Sequence, residues 1–89
     1  MAYFVYITQS SIDQSYYKGF SESPDNRLLQ HNAGECTYTS RKLPWTLVYA
    51  EEQPTKKEAL IREKTLKKYA HAQIEILIRS DKNIVSTFL

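Results

Sequence analysis

The chain has 89 residues, with 12 basic against 10 acidic side chains and a formal net charge of +2, too balanced by itself to signal a polyanionic partner. That length supports one hydrophobic core and excludes a catalytic domain joined to a separate recognition domain. The single cysteine, Cys36, excludes an internal disulfide and a zinc-finger type of site, and it points to a reducing compartment. No stretch approaches the ~20 apolar residues of a membrane span, and Met1-Ala2-Tyr3-Phe4 is not a basic leader, so a cytoplasmic, membrane-free protein is expected.

Tyr3 to Thr8 reads as a strand of period two, with Tyr3, Val5 and Ile7 on one face and Phe4, Tyr6 and Thr8 on the other. A polar connector of hairpin length, Gln9 to Gln14, leads to a second strand, Ser15 to Gly19, in which Tyr17 and Gly19 oppose Tyr16 and Lys18. An antiparallel hairpin brings Tyr6 and Tyr17 to one face. Ser23-Pro24 supplies a cap residue and a proline at the first helical position, and Asn32-Ala33-Gly34 ends the short helix. Leu28 and Leu29 are its expected apolar side, with Arg27 and His31 sharing a face away from them. A polar loop, Glu35 to Leu43, passes through Pro44 into a third strand, Trp45 to Ala50, and Pro54 closes the strand region.

Thr55-Lys56-Lys57-Glu58 has the spacing of a capping box, which predicts a helix to about Tyr69. Its apolar stripe is Ala59, Leu60, Leu66 and Ala70, and Glu63 falls inside that arc. A carboxylate there is costly unless it lies at the edge of the stripe, is ion-paired, or holds a metal. From Lys56 to Lys68 six basic residues, including Lys64, Lys67 and Lys68, stand against Glu58 and Glu63; such a stretch either meets a polyanion or is a solvated helix face. His71 to Arg79 shows Ile74, Leu77 and Ile78 at helical spacing. No linker or repeat interrupts residues 1–80, read as one domain, and residues 81–89 form a tail without assigned structure.

Phe4-Val5-Tyr6 and Tyr17-Lys18-Gly19, followed in order by Arg27, His31 and Glu63, resemble the GIY-YIG nuclease family, in particular its short stand-alone bacterial members. The stretches Leu28 to Gly34, Tyr38-Thr39, Pro44 to Tyr49 and Ala59 to Lys64 extend the likeness over nearly the whole chain. Two positions depart from the signature, Phe4 replacing a glycine and Lys18 an isoleucine; either Lys18 snorkels at the sheet edge or the sheet packs differently there. The resemblance implies an α+β fold, a small three-stranded antiparallel sheet flanked by helices. It implies hydrolysis of DNA phosphodiesters, dependent on Mg²⁺ or Mn²⁺, with little intrinsic sequence specificity, on duplex or branched DNA, in repair or recombination, with a protein partner for targeting. The alternative is a noncatalytic nucleic-acid or protein interaction module that keeps the fold. Retention of all the polar signature residues disfavours it.

Carried onto this chain, the resemblance makes Tyr6, Tyr17, Arg27, His31 and Glu63 the catalytic set. Glu63 suits Mg²⁺, a hard cation that keeps most of its waters and takes one or two protein carboxylates. The fork of Arg27 matches two phosphate oxygens. His31 is suited to accept a proton from a tyrosine or to contact phosphate. A phenol, with a reference pKa near ~10, acts as a base only with cationic help, from Arg27, Lys18 or a metal. Tyr6, central in its strand, is the favoured base, and Tyr17 the group that binds water or phosphate. Contacts to the DNA backbone are expected from Lys18, Tyr38, Thr39, Arg41, Lys64, Lys67 and Lys68.

Overall fold

A computed structural model describes residues 2–35 and 40–88. Strand β1 (Tyr3–Ser10) is flanked by β2 (Tyr16–Ser21) and β3 (Trp45–Gln53), both antiparallel to it, in the sheet order β2-β1-β3. The fold is α+β, a three-stranded antiparallel sheet with helices α1 (Pro24–Asn32), α2 (Lys56–Leu66) and α3 (His71–Ile78). The period-two pattern of β1 does not separate core from solvent. Val5, Tyr6, Ile7 and Thr8 are all at most 1% exposed, because the central strand is covered on both faces.

Val5, Ile7 and Tyr49 pack with Ala59 and Leu66 of α2 and Ile74 and Leu77 of α3, forming the main hydrophobic cluster. On the opposite face Tyr6 pairs with Gly19 and Ala50, and Thr8 with Tyr17 and Leu47. The β1–β3 register shifts between Ile7 and Thr8, leaving Val48 as an extra residue in β3. That bulge is held from far along the chain. Asn83 Nδ2 donates to the Val48 carbonyl at 2.9 Å and its Oδ1 accepts from the Ala50 amide at 3.2 Å, while the Ile84 amide donates to Ala50 O at 2.9 Å. The segment left unassigned by sequence thus ends in a 3₁₀ turn, Val85–Phe88, whose Phe88 ring meets Phe4 edge-on at 5.0 Å. Phe4, where the family signature has glycine, is thereby given an apolar partner.

Three sequence expectations are corrected. Helix α1 turns only one of its two leucines inward: Leu29 is 67% exposed and Leu28 half-buried, whereas His31 and Pro24 are fully buried, so the inward face of α1 is centred on the histidine. Helix α2 stops at Leu66, short of Tyr69, because the Lys68 and Tyr69 amides bond three residues back, to Thr65 and Leu66, and tighten the chain out of the helix. Ala70 therefore leaves the proposed stripe and becomes the exposed, extended N-cap of α3, its amide bonded to Gln73 Oε1 at 2.7 Å. The end signals do hold elsewhere. Thr55 Oγ1 accepts from the Glu58 amide at 3.2 Å, and α1 closes with paired bonds from Gly34 N to His31 O and Glu35 N to Gln30 O, Gly34 taking φ +77°.

Candidate active site

Beneath α1, side chains from β1, β2 and the helix converge. The Tyr6 hydroxyl and His31 Nε2 are 3.1 Å apart, both residues being buried. Tyr17, half-buried, brings its ring centroid to 4.9 Å from that of His31 in an edge contact, to 6.5 Å from Tyr6 and to 6.3 Å from Trp45. The hairpin register puts Gly19 directly across from Tyr6, and a Cβ on Gly19 would stand 2.8 Å from the phenol oxygen. Glycine is required here by close approach, not by backbone conformation. Trp45 is pinned by Asn32, whose Oδ1 accepts from the Trp45 amide at 2.7 Å while its Nδ2 donates to the Trp45 carbonyl at 3.0 Å.

Burial, and secondarily the positive charge of Arg27, hold the His31 pKa below its usual value of 6.5. The ring is therefore neutral near pH 7, and in its Nδ1–H tautomer Nε2 is the acceptor for the Tyr6 O–H. Arg27, one turn earlier on α1, donates from Nη1 to Gln30 Oε1 at 2.7 Å and lines a surface cleft of about 300 Å³ with Ser21, Ser23 and Asn26. Thus Tyr6, Tyr17, Arg27 and His31 form one neighbourhood.

Glu63 belongs to α2, whose Ala59 and Leu66 pack on the Val5, Ile7 and Tyr49 face of the sheet, opposite the face that carries Tyr6. The Glu63 side chain is 14% exposed and takes an i,i+4 ion pair from Lys67 Nζ at 3.5 Å, the paired state among the alternatives its position left open. Lys67 in turn lines a groove of about 460 Å³ with Tyr16, Tyr17 and Lys18, wrapped around the outer edge of β2. Strand alternation sends Lys18 to the side opposite Tyr17: it pairs with Ile7, where it is half-buried, and burial lowers its pKa. Among the described residues no three His, Cys, Asp or Glu side chains gather as a metal site. A lone, largely buried carboxylate suits a hard, mostly hydrated Mg²⁺ and not a soft metal that needs nitrogen or sulfur ligands.

The remaining candidates divide. Lys64 and Lys68 are exposed on or just beyond α2, and Arg41 is exposed in a 3₁₀ turn, Ser40–Lys42. Tyr38 and Thr39 lie outside the described residues. Arg62, counted in the basic stretch, is committed inward: its Nε donates to Glu51 Oε2 at 2.9 Å, and Glu51 also accepts from the Tyr49 hydroxyl at 2.5 Å. Sequence reading missed Glu51, because its partners come from β3 and α2 and no local pattern joins them. It also passed over Asn32 and Trp45, although an asparagine at a helix end before an X-Pro-Trp segment was a visible cue.

A short antiparallel sheet presenting two tyrosines from a hairpin, against a helix that carries arginine and histidine, defines a class of small α+β domains with a tyrosine–histidine cluster beneath the first helix. The GIY-YIG catalytic domain matches residues 2–74, and the chain belongs to the GIY-YIG family. A UPF0213 protein of Staphylococcus epidermidis is 40% identical over 72 residues, covering 80% of this chain and 87% of the relative. One from Halobacterium salinarum is 38% identical over 74 residues, covering 82% and 95%. The solution NMR structure of a UPF0213 protein from Bacillus halodurans superimposes with a TM-score of 0.58 at 30% identity, covering 92% of this chain and 87% of that one.

Proposed function

We propose that this protein is a Mg²⁺-dependent DNA endonuclease of low sequence specificity, acting on duplex or branched DNA. The observation that carries the reading is the buried Tyr6–His31 hydrogen bond beside Arg27, since a neutral histidine on a phenol is a proton path with no packing need for a polar group. Arg27 grips the nonbridging oxygens of the scissile phosphate with its planar fork. Tyr6 takes a proton from the attacking water as its own phenolic proton passes to His31 Nε2, and the freed hydroxide displaces the ester oxygen in line. Tyr17, half-buried at the groove, orients that water or a phosphate oxygen. Glu63 would hold the metal, which when bound supplies positive charge for the leaving oxygen.

Binding comes from the phosphate backbone. Lys18, Lys64, Lys67, Lys68 and Arg41 supply positive charge without base readout, which agrees with low specificity. A role in repair or recombination would depend on a partner that brings the domain to its substrate. The test is nicking of supercoiled plasmid and cleavage of branched DNA with Mg²⁺, with Mn²⁺ and with chelator, using the intact chain and Glu63→Gln. Metal-dependent cleavage lost in a folded Glu63→Gln supports the reading. DNA binding without cleavage under every condition would instead make this an interaction module.

A further inference from the structure

The groove at the β2 edge holds two lysines, and one of them is not fully committed to it. Lys67 lines the groove with Tyr16, Tyr17 and Lys18 and at the same time is the counterion of Glu63. The pair is loose, at 3.5 Å, and asymmetric: the Glu63 side chain is 14% exposed and that of Lys67 57%. Lys67 is the C-cap of α2, so its side chain leaves from the last helical turn and swings without disturbing the helix. We propose that Lys67 is a resident cation on Glu63 which metal binding displaces into this groove, where with Lys18 it completes a site for a DNA phosphate. The inference rests on Glu63 as the metal anchor and adds a coupling between metal and nucleic acid.

The physical case is one of charge balance. A partly buried carboxylate needs one positive neighbour, and Lys67 supplies it. A divalent cation at the same carboxylate reverses the local charge, so the ammonium is repelled from where it was attracted. The groove that Lys67 already borders is its nearest alternative. There it joins Lys18, whose charge is disfavoured by burial, and two ammonium groups along one groove favour an anion between them. A phosphate diester is that anion. Linkage makes the effect reciprocal: metal tightens DNA, and DNA tightens metal by the same factor.

The experiment separates this from cleavage. Mn²⁺ is titrated into the intact chain, Lys67→Met and Lys57→Met without DNA, and the affinity of a short duplex is measured for each in chelator and in Ca²⁺. Removing the resident cation should tighten Mn²⁺ by roughly 3- to 10-fold and abolish the gain in duplex affinity that Ca²⁺ gives the parent protein. Lys57→Met, which deletes an exposed charge in the first turn of α2, should shift Mn²⁺ affinity by less than about 2-fold and keep the coupling. Equal or weaker Mn²⁺ binding by Lys67→Met, a full Ca²⁺ gain in that variant, or no metal binding by the parent overturns the proposal. Coupling without cleavage leaves the proposal standing and removes the nuclease reading; cleavage without coupling does the reverse.

Discussion

Gly19 is the floor on which the Tyr6 hydroxyl rests: a methyl group added at Gly19 would lie 2.8 Å from the phenol oxygen and 2.9 Å from Cζ. The atoms in the way belong to an aromatic ring that is 1% exposed and bonded to His31, so it has little room to yield. Gly19→Ala should therefore move Tyr6 off His31. The expected outcome is a folded protein destabilised by about 1–3 kcal/mol from overpacking, with single-turnover cleavage reduced by about 10²-fold or more. Wild-type cleavage in this variant would show that the Tyr6 position is not critical.

Tyr6→Phe keeps the ring and removes the oxygen. If Tyr6 takes the water proton, cleavage should fall by roughly two to four orders of magnitude with DNA binding retained. Tyr17→Phe, at the accessible groove, should cost less. Both variants are to be compared on one substrate under single-turnover conditions, with affinity measured separately. A larger loss in Tyr17→Phe would exchange the two roles, and full activity in both would end phenol-based catalysis.

How much of this arrangement is legible in the chain depends on how far each interaction reaches. The hairpin and the third strand follow from local alternation and turn residues, and the tyrosine face follows from the period of two. Helix α1 is legible in extent but not in orientation, because its buried His31 is satisfied by Tyr6, 25 residues away, and hydrophobicity gives no hint of it. The end of α2 carries no glycine or proline to mark it. Asn83 fastens Val48 and Ala50 across 35 and 33 positions, so the segment containing it shows no periodic signal. Glu63 was legible as an anomaly in an apolar arc, and the i,i+4 spacing to Lys67 was legible with it, although spacing alone does not decide which nearby cation closes on the carboxylate.

Thr8 offers a test of stability apart from chemistry. Its Oγ1 is buried with no hydrogen-bond partner, and the residue is fully inaccessible between Tyr17 and Leu47 in the sheet. An unsatisfied buried hydroxyl costs about 1–3 kcal/mol relative to a state in which water solvates it. Valine has nearly the same shape and the same β-branch, so it deletes the unpaired group without opening a cavity. Thr8→Val is expected to raise stability by about 1 kcal/mol in chemical denaturation at an unchanged m-value. A loss of stability would mean that the hydroxyl is solvated or bonded in solution.

The pH dependence of stability should carry the signature of His31. Its folded pKa is depressed below 6.5 by burial and by Arg27, so in the pH range just under 6.5 the unfolded chain binds a proton that the folded protein resists. Stability is therefore full above pH 6.5, declines as pH falls through that value, and stops declining once the folded histidine also protonates. Among the described residues with shifted values, none other titrates in this window: the Asp13 carboxyl, held well below its usual range by hydrogen bonds with Ser15 and Lys42, acts at more acid pH, and the Lys18, Tyr16 and Tyr49 shifts lie on the alkaline side. Thermal melting from pH 7.5 to 5 should show the decline in the parent and a flatter profile in His31→Gln, whatever the absolute melting temperatures. Because His31 must be neutral to receive the Tyr6 proton, cleavage should persist somewhat below pH 6.5 and fall at more acid pH. A parent profile that is flat through this range, or a decline undiminished in His31→Gln, would show that the histidine is not the buried, neutral partner of Tyr6.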